Sequence, residues 1–404
     1  MLRKFSPFLF VVAVTLMLLL NLYHLQDSIN TDTRLEVKIL EGVRALMFQH
    51  QCPEPIACPE DNDKKLENIL EKLLKMKCPE CENKPCPEQV SCASNTKKPS
   101  DVIKMREMTS VLNSRDQAKE AIFFTETSGT GMIKPRFVCG VESAARVYTN
   151  ADVYLLVAYT SDELQVEKNE VLRKVLRNYS NIQILFVDFN LLFTDTPLEN
   201  FYKSGKLNSS KYRAAHTSDV LRFLTLWLYG GKYFDLDIIT VKNLTGLDNF
   251  IIDESQLPYN YIATGAFAYQ KHSPVGDHTF DILSSQFNGD EWVVNGPRVI
   301  TEAMKWYTGA EQAKDMNEHN LKEFTKLAYE QLFPIEFFEL LSYFNESRTN
   351  EVMVRINGIQ DLFGIHIGNH LMKNDMVVVG SNVAYSLLAQ KYCPRSYWNA
   401  NAVF

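Results

Sequence analysis

Positive charge is in deficit. Lys and Arg together number 42 against 49 Asp and Glu, for a formal net charge of −7. Without a basic excess the chain lacks the electrostatic footprint of a nucleic-acid binder. Glycine-rich phosphate loops are missing as well. No Gly-x-Gly-x-x-Gly follows the first apolar strand and no Gly-x-x-x-x-Gly-Lys-Ser/Thr occurs anywhere, which disfavours a dinucleotide-binding fold and a P-loop enzyme. No histidine stands near Cys78-Pro-Glu-Cys81, so this C-x-x-C reads as disulfide stapling rather than as zinc.

What remains is enough for a large α/β domain with accessory segments: 404 residues, 46% of them apolar. An apolar run from Pro7 to about Leu25, behind Arg3 and Lys4, matches the roughly 17 to 25 residues that span a bilayer. It exceeds the about 7 to 15 of a cleavable signal and ends in bulky residues, so a retained anchor is expected. Basic residues on the short leading side predict a cytosolic N-terminus, a type II single-pass topology and a lumenal body. The expected divisions are a cytoplasmic tail (1–6), a signal-anchor (7–25), a stem (26–117) and a catalytic domain (118–404).

The stem carries six of the eight cysteines (Cys52, Cys58, Cys78, Cys81, Cys86, Cys92), flanked by prolines. A leucine stripe through Leu66, Ile69, Leu70, Leu73 and Leu74 could pair with a second copy, so a dimerising, disulfide-stapled stem is expected, its bridges within or between chains. Sequons at Asn178, Asn208, Asn243 and Asn345 fit a glycosylating compartment.

Beyond Ala121 the pattern alternates. "AIFFTETS", "DVYLLVAY" and "NIQILFVDF" read as buried strands, with "VCGVESAARVY" and "DELQVEKNEVLRKVLRN" helical between them. Such an order builds a parallel sheet whose ligands sit at the carboxyl ends of its strands. A further helix, capped by Thr217 or Ser218, ends at Gly230-Gly231 and leads into "KYFDLD". Asp235 and Asp237 then follow at a strand period of two, both side chains on one side. Two converging carboxylates repel unless a positive charge lies between them, and a divalent cation is the usual solution. By itself Asp-x-Asp reads more readily as a polar strand end than as a metal clamp. A haloacid-dehalogenase nucleophile motif is a rival, but Ile239 stands where it wants Thr or Val, and three strand-like segments precede it.

The surrounding residues decide between these readings. Ser218, Asp219, Arg222, Gly230, Gly231, Tyr233, Asp235 and Asp237 together resemble the sugar-nucleotide site of glycosyltransferase family 32. "FFTETS", "CGVESAAR", "FTDTPL", "TGAFAYQK", "NGPRVIT", "LFPI" and "LLAQKYCP" are similar to its animal alpha-1,4-galactosyltransferase and N-acetylgalactosaminyltransferase members, and the likeness covers residues 121–404. The resemblance implies a GT-A-type, Rossmann-like mixed sheet in a Golgi-anchored, retaining, Mn²⁺-dependent enzyme that takes a UDP-sugar donor and a glycolipid acceptor. By position, Asp235 and Asp237 would hold the metal and diphosphate, Asp219 and Arg222 would line donor sugar or nucleotide, and Thr125 and Glu126 would sit near the uridine. Asn295-Gly296-Pro297 would open a helix towards sugar hydroxyls. His366 would complete the metal shell, with His370 the alternative. The chain departs from the pattern where His-x-Trp becomes His366-Ile367-Gly368. Galactose and N-acetylgalactosamine stay open as donor sugars, with a lean to the latter. A glycoprotein acceptor and a tethered non-catalytic binder also stay open.

Overall fold

Aliphatic and aromatic runs too short for helices, each bounded by turn residues, give twelve strands among the described residues. In chain order they are β1 (Val102–Lys104), β2 (Arg106–Glu107), β3 (Ala121–Glu126), β4 (Asp152–Val157), β5 (Glu163–Gln165), β6 (Ile182–Phe186), β7 (Lys232–Phe234), β8 (Ile238–Thr240), β9 (Phe250–Ile252), β10 (Ala266–Ala268), β11 (Thr325–Leu327) and β12 (Gly364–His366). The principal helices are α1 (Pro135–Val147), α2 (Glu170–Leu176), α3 (Arg213–Tyr229), α4 (Pro274–Gln286), α5 (Pro297–Thr308), α6 (Thr349–Gly358), α7 (Ala384–Tyr392) and α8 (Pro394–Asn399). This computed structural model describes residues 101–254 and 261–404. The expected tail, signal-anchor and dimerising stem fall almost wholly outside the described residues. Among the described residues no helix is long and apolar enough to cross a membrane.

Eight strands form one mixed sheet in the order β11-β9-β10-β7-β3-β4-β6-β2. The run from β7 through β3, β4 and β6 to β2 is parallel, whereas β10 runs antiparallel to both β7 and β9. The expected α/β class is thus observed, in its mixed form. Side chains of β3 alternate between two cores as the pleat requires. Ala121 and Phe123 pack with α3 residues such as Val220 and Leu224. Ile122 and Phe124 pack with Val138 and Val141 of α1 on the other face. Burial on both faces explains why all six residues of β3 are apolar or sealed at its end.

Two sequence expectations are corrected. The fold begins before residue 118: β2 is an edge strand of the main sheet, and Met105, Met108 and Leu112 are buried in its cores. Three apolar side chains anchor that segment, too few to register against its polar composition. Within "DELQVEKNEVLRKVLRN", Glu163–Gln165 pair antiparallel with β1 and only Glu170–Leu176 is helical. A neighbouring edge overrides the local helical pattern.

A third core cluster gathers Ile239 of β8, Ile365 and Ile367, Tyr385 and Leu388 of α7, and the bonded pair Cys139–Cys393. The bridge ties α1 to the start of α8 across 254 residues. Beside it, the buried Glu142 carboxylate accepts the Arg395 and Ser396 N–H groups (2.9 and 2.6 Å), the Ser396 hydroxyl (2.7 Å) and the Tyr179 hydroxyl (2.8 Å). The charge of Glu142 is therefore spent on structure. A bridge closing so long a loop contributes about 2–5 kcal/mol. Replacing both cysteines by Ser is expected to lower unfolding free energy by that order, and reductant should lower the melting temperature of the wild type but not of the variant. Equal melting curves with and without reductant would contradict the pairing.

Candidate active site

β7 ends at Phe234, and Asp235-Leu236-Asp237 is a tight turn, closed by the Ile238 N–H donating to the Asp235 carbonyl (3.1 Å). The turn passes the chain from the main sheet into the two-stranded β8-β12 sheet. The carboxylates therefore converge through a turn and not through the pleat of a strand end. Backbone bonds fix it: the Asp235 N–H donates to Gly265 (2.7 Å) and the Ile367 N–H to the Asp237 carbonyl (3.0 Å). α1 presses on it from behind, and a Cβ on Gly140 would stand 2.4 Å from the Leu236 carbonyl oxygen.

Antiparallel pairing of β12 with β8 sets His366 opposite Ile238. His366 Nε2 lies 3.4 Å from Asp237 Oδ1, and the other oxygen of Asp237 accepts the Asn369 N–H (2.8 Å). Asp235, Asp237 and His366 each offer one ligand atom, all within 4.8 Å of one another. A Cβ on Gly265 would intrude 3.1 Å from Asp235 Oδ2 and 3.5 Å from His366 Nε2. Two carboxylates, one imidazole nitrogen and a space kept clear by glycine fit a divalent cation such as Mn²⁺. His370 is not in this group: it packs on Trp292, ring centroids 4.4 Å apart.

Behind Asp235 lies a buried polar network. Arg222 bonds the Thr264 carbonyl (2.6 Å) and the Ser218 hydroxyl (2.8 Å), and its guanidinium stands 3.2 Å from Asp235 and 3.6 Å from Asp219. It also covers the Tyr233 ring at 4.5 Å, while the Tyr233 hydroxyl donates to Asp235 Oδ1 (2.7 Å). Thr125 joins Ser218 (2.7 Å) and Tyr233 (2.9 Å). α3 starts at Arg213, so Thr217 and Ser218 are interior to it and not its cap. Ser218 is a network member instead.

Ser218, Asp219, Arg222, Asp235 and Asp237 open on a cavity of ≈ 380 Å³, whose lining also includes Glu254, Trp292, His366 and Phe337, while Thr125 and Tyr233 stay buried behind it. Not every expected donor residue reaches it. Glu126 is sealed at the end of β3, one oxygen on the Ser128 N–H (2.9 Å) and the other buried without a partner. The Asn295 side chain closes its own loop, bonding Asn288 at both ends (2.6 and 3.1 Å). Gly296 caps α5 with its backbone against the Asp219 carboxylate, where a Cβ would be 2.6 Å from Oδ1.

The sequence matches the glycosyltransferase sugar-binding region containing DXD motif over residues 134–258 and the alpha 1,4-glycosyltransferase conserved region over residues 268–400. The chain carries both of these glycosyltransferase regions. The transferase is 28% identical over 285 residues to mouse lactosylceramide 4-alpha-galactosyltransferase, covering 70% of this chain and 77% of the relative. It is 25% identical over 283 residues to human alpha-1,4-N-acetylglucosaminyltransferase, covering 69% and 80%. Among solved structures it is similar to the PaToxG glycosyltransferase, at 19% identity and a TM-score of 0.39, over 51% of this chain and 75% of that one. It is a hexosyltransferase, and the phosphatase reading of "DLDIIT" is set aside.

Several site residues of the transferase escaped sequence reasoning. Gly140 and Gly265 act by lacking a side chain, which no local pattern announces. Glu254 and Trp292 sit in segments without a motif. Trp292 is placed by His216 of α3, whose Nε2–H points at the Glu291 and Trp292 carbonyls (3.0 and 3.2 Å) while Nδ1 accepts from Ser210 (2.7 Å). At the departure from the family pattern, Gly368 has φ +71°, and a Cβ would meet Leu340 at 2.6 Å. No Trp fits there, and Trp292 on His370 supplies the aromatic wall.

Burial pushes the carboxyl of Asp219 up to about 6, with Arg222 opposing and Asp235 assisting. Burial likewise raises Glu254 to about 7, reinforced by Asp219 and Asp235. Asp235 is raised by burial, against Arg222 and with Asp237 adding to the rise. Arg222 is held protonated despite burial, chiefly by Asp235. Because the folded protein binds the Asp219 proton more tightly than the unfolded chain does (3.8), stability falls as pH rises between the two values. At about 1.4 kcal/mol per pH unit, Asp219→Asn should stabilise the metal-free protein at pH 7.5 by about 1–3 kcal/mol. No gain should appear at pH 4. Denaturant titration at the two pH values checks this, and the absence of a gain at pH 7.5 would contradict it.

Proposed function

We propose that the chain is a retaining, metal-dependent transferase that moves N-acetylgalactosamine or galactose from a UDP-sugar, in alpha-1,4 linkage, to the terminal sugar of a glycolipid. The convergence of Asp235, Asp237 and His366 on one point of the cavity wall carries the reading. The activities of the relatives support the linkage, and the lactosylceramide-acting ones support the glycolipid. Asp235, Asp237 and His366 would hold Mn²⁺. When bound, the ion supplies charge for the diphosphate and for the negative charge that develops as UDP departs.

The chain's own groups do the rest. Arg222 and Tyr233 fix Asp235 from behind, so the carboxylate is oriented before donor arrives. Asp219 and Glu254 face the space beside the metal ligands and can accept or donate hydrogen bonds to sugar hydroxyls. Burial raises the carboxyls of both, to about 6 and about 7, so each can donate as well as accept a hydrogen bond near those pH values. Same-face transfer, with the leaving diphosphate taking the acceptor proton, needs only positioning and charge stabilisation. Trp292, packed against His370 with the rings tilted by 39°, offers an apolar surface for an acceptor or donor ring. We place the catalytic domain in the Golgi lumen behind a type II anchor. The buried Cys139–Cys393 bridge and the exposure of Asn178, Asn208, Asn243 and Asn345 agree with such a compartment.

The test is transfer by the full-length chain from UDP-galactose and UDP-N-acetylgalactosamine to a panel of glycolipids, with product anomericity read by NMR. We expect an alpha-linked product from one of the two donors, activity lost with chelator and restored by Mn²⁺, and a fall in kcat of about 10²-fold or more in Asp237→Ala. Equal slow hydrolysis of both donors without transfer would sink the reading.

A further inference from the structure

The 3-10 helix Phe337–Phe344 presents two different faces. Phe337 and Leu340 line the cavity, while Phe338 and Leu341, three apart and so eclipsed on such a helix, point to solvent. Phe337, Phe338 and Leu341 are 68%, 77% and 57% exposed. Three large apolar side chains exposed within five residues mark a contact surface rather than ordinary surface scatter. The acidic residues of the same turn do not interrupt it: Glu336 and Glu339 are tied to Arg355 of α6, and Glu339 also to Arg348. The outcome is a charge-neutralised apolar lip continuous with the wall of the sugar cavity.

We infer that this lip docks the lipid portion of the acceptor at the bilayer surface, so that the headgroup sugar reaches the cavity while the chains stay in the membrane. The inference rests on the glycolipid reading above. An amphiphile whose sugar enters the cavity must leave its apolar end at the rim, and the helix that lines one also forms the other. Paired charges and exposed Phe and Leu are the chemistry of an interfacial contact.

The variant Phe338→Ser/Leu341→Ser tests this, since neither residue lines the cavity. The full-length chain is reconstituted in phosphatidylcholine nanodiscs and assayed with glycolipid in the same disc and with the same oligosaccharide on a short water-soluble aglycone. The double variant should raise the apparent KM for the disc-borne glycolipid about tenfold or more, the scale expected from losing interfacial burial of two such side chains. The soluble glycoside should stay within about twofold on the same reasoning. Unchanged KM for both acceptors overturns the lip. A parallel loss for both, with a lowered melting temperature, means that the chain's own residues cover it. A changed sedimentation coefficient without a KM split means that a second copy does. Either of these also overturns the proposal. If instead the wild type modifies soluble or protein-linked glycans but no disc-borne glycolipid, the glycolipid reading itself fails.

Discussion

Two carboxylates held in one tight turn set the terms for this fold. Asp235 and Asp237 repel, and the surrounding structure compensates them from opposite sides. Arg222 and the Tyr233 hydroxyl hold the first, and the Asn369 N–H and His366 hold the second. Removing both charges from their partners would leave an uncompensated pair beside a cavity wall. α3 and β7 supply the first set of partners, and β12 with the loop that follows it the second. The turn is therefore both the junction of two layers and the site.

That junction explains the packing around it. α1 approaches so closely that only Gly140 fits behind Leu236, and Cys139, its neighbour, anchors the same helix to the C-terminal cluster. Gly265 leaves room in front. The turn is thus pinned by close contact on one face and kept open on the other, the arrangement expected where charged ligand atoms must be oriented in advance.

Much of this was legible in the sequence because it is local. The apolar runs of β3, β4 and β6 announced a sheet buried on both faces, and Gly230-Gly231 marked the end of α3. The side-chain chemistry of Asp235, Asp237, Asp219, Arg222 and Tyr233 was visible in one stretch of nineteen residues. What was hidden depends on distant partners. The helix start at Arg213, the strand at Glu163–Gln165 and the edge strand at Arg106–Glu107 follow from tertiary neighbours. Asn295 carries suitable chemistry, yet the fold turns it to structural work, and Glu126 lies at the end of β3 outside the cavity lining. Glu254 and Trp292 entered the site from segments with no pattern of their own.

The proposed chemistry needs one point in space at which Asp235, Asp237 and His366 bind a cation together. Electron paramagnetic resonance of Mn²⁺, titrated into the full-length chain with UDP present, tests it most directly. One tightly held ion per chain is expected, lost in Asp237→Ala and weakened in His366→Ala. An unchanged Mn²⁺ affinity in Asp237→Ala would contradict the account.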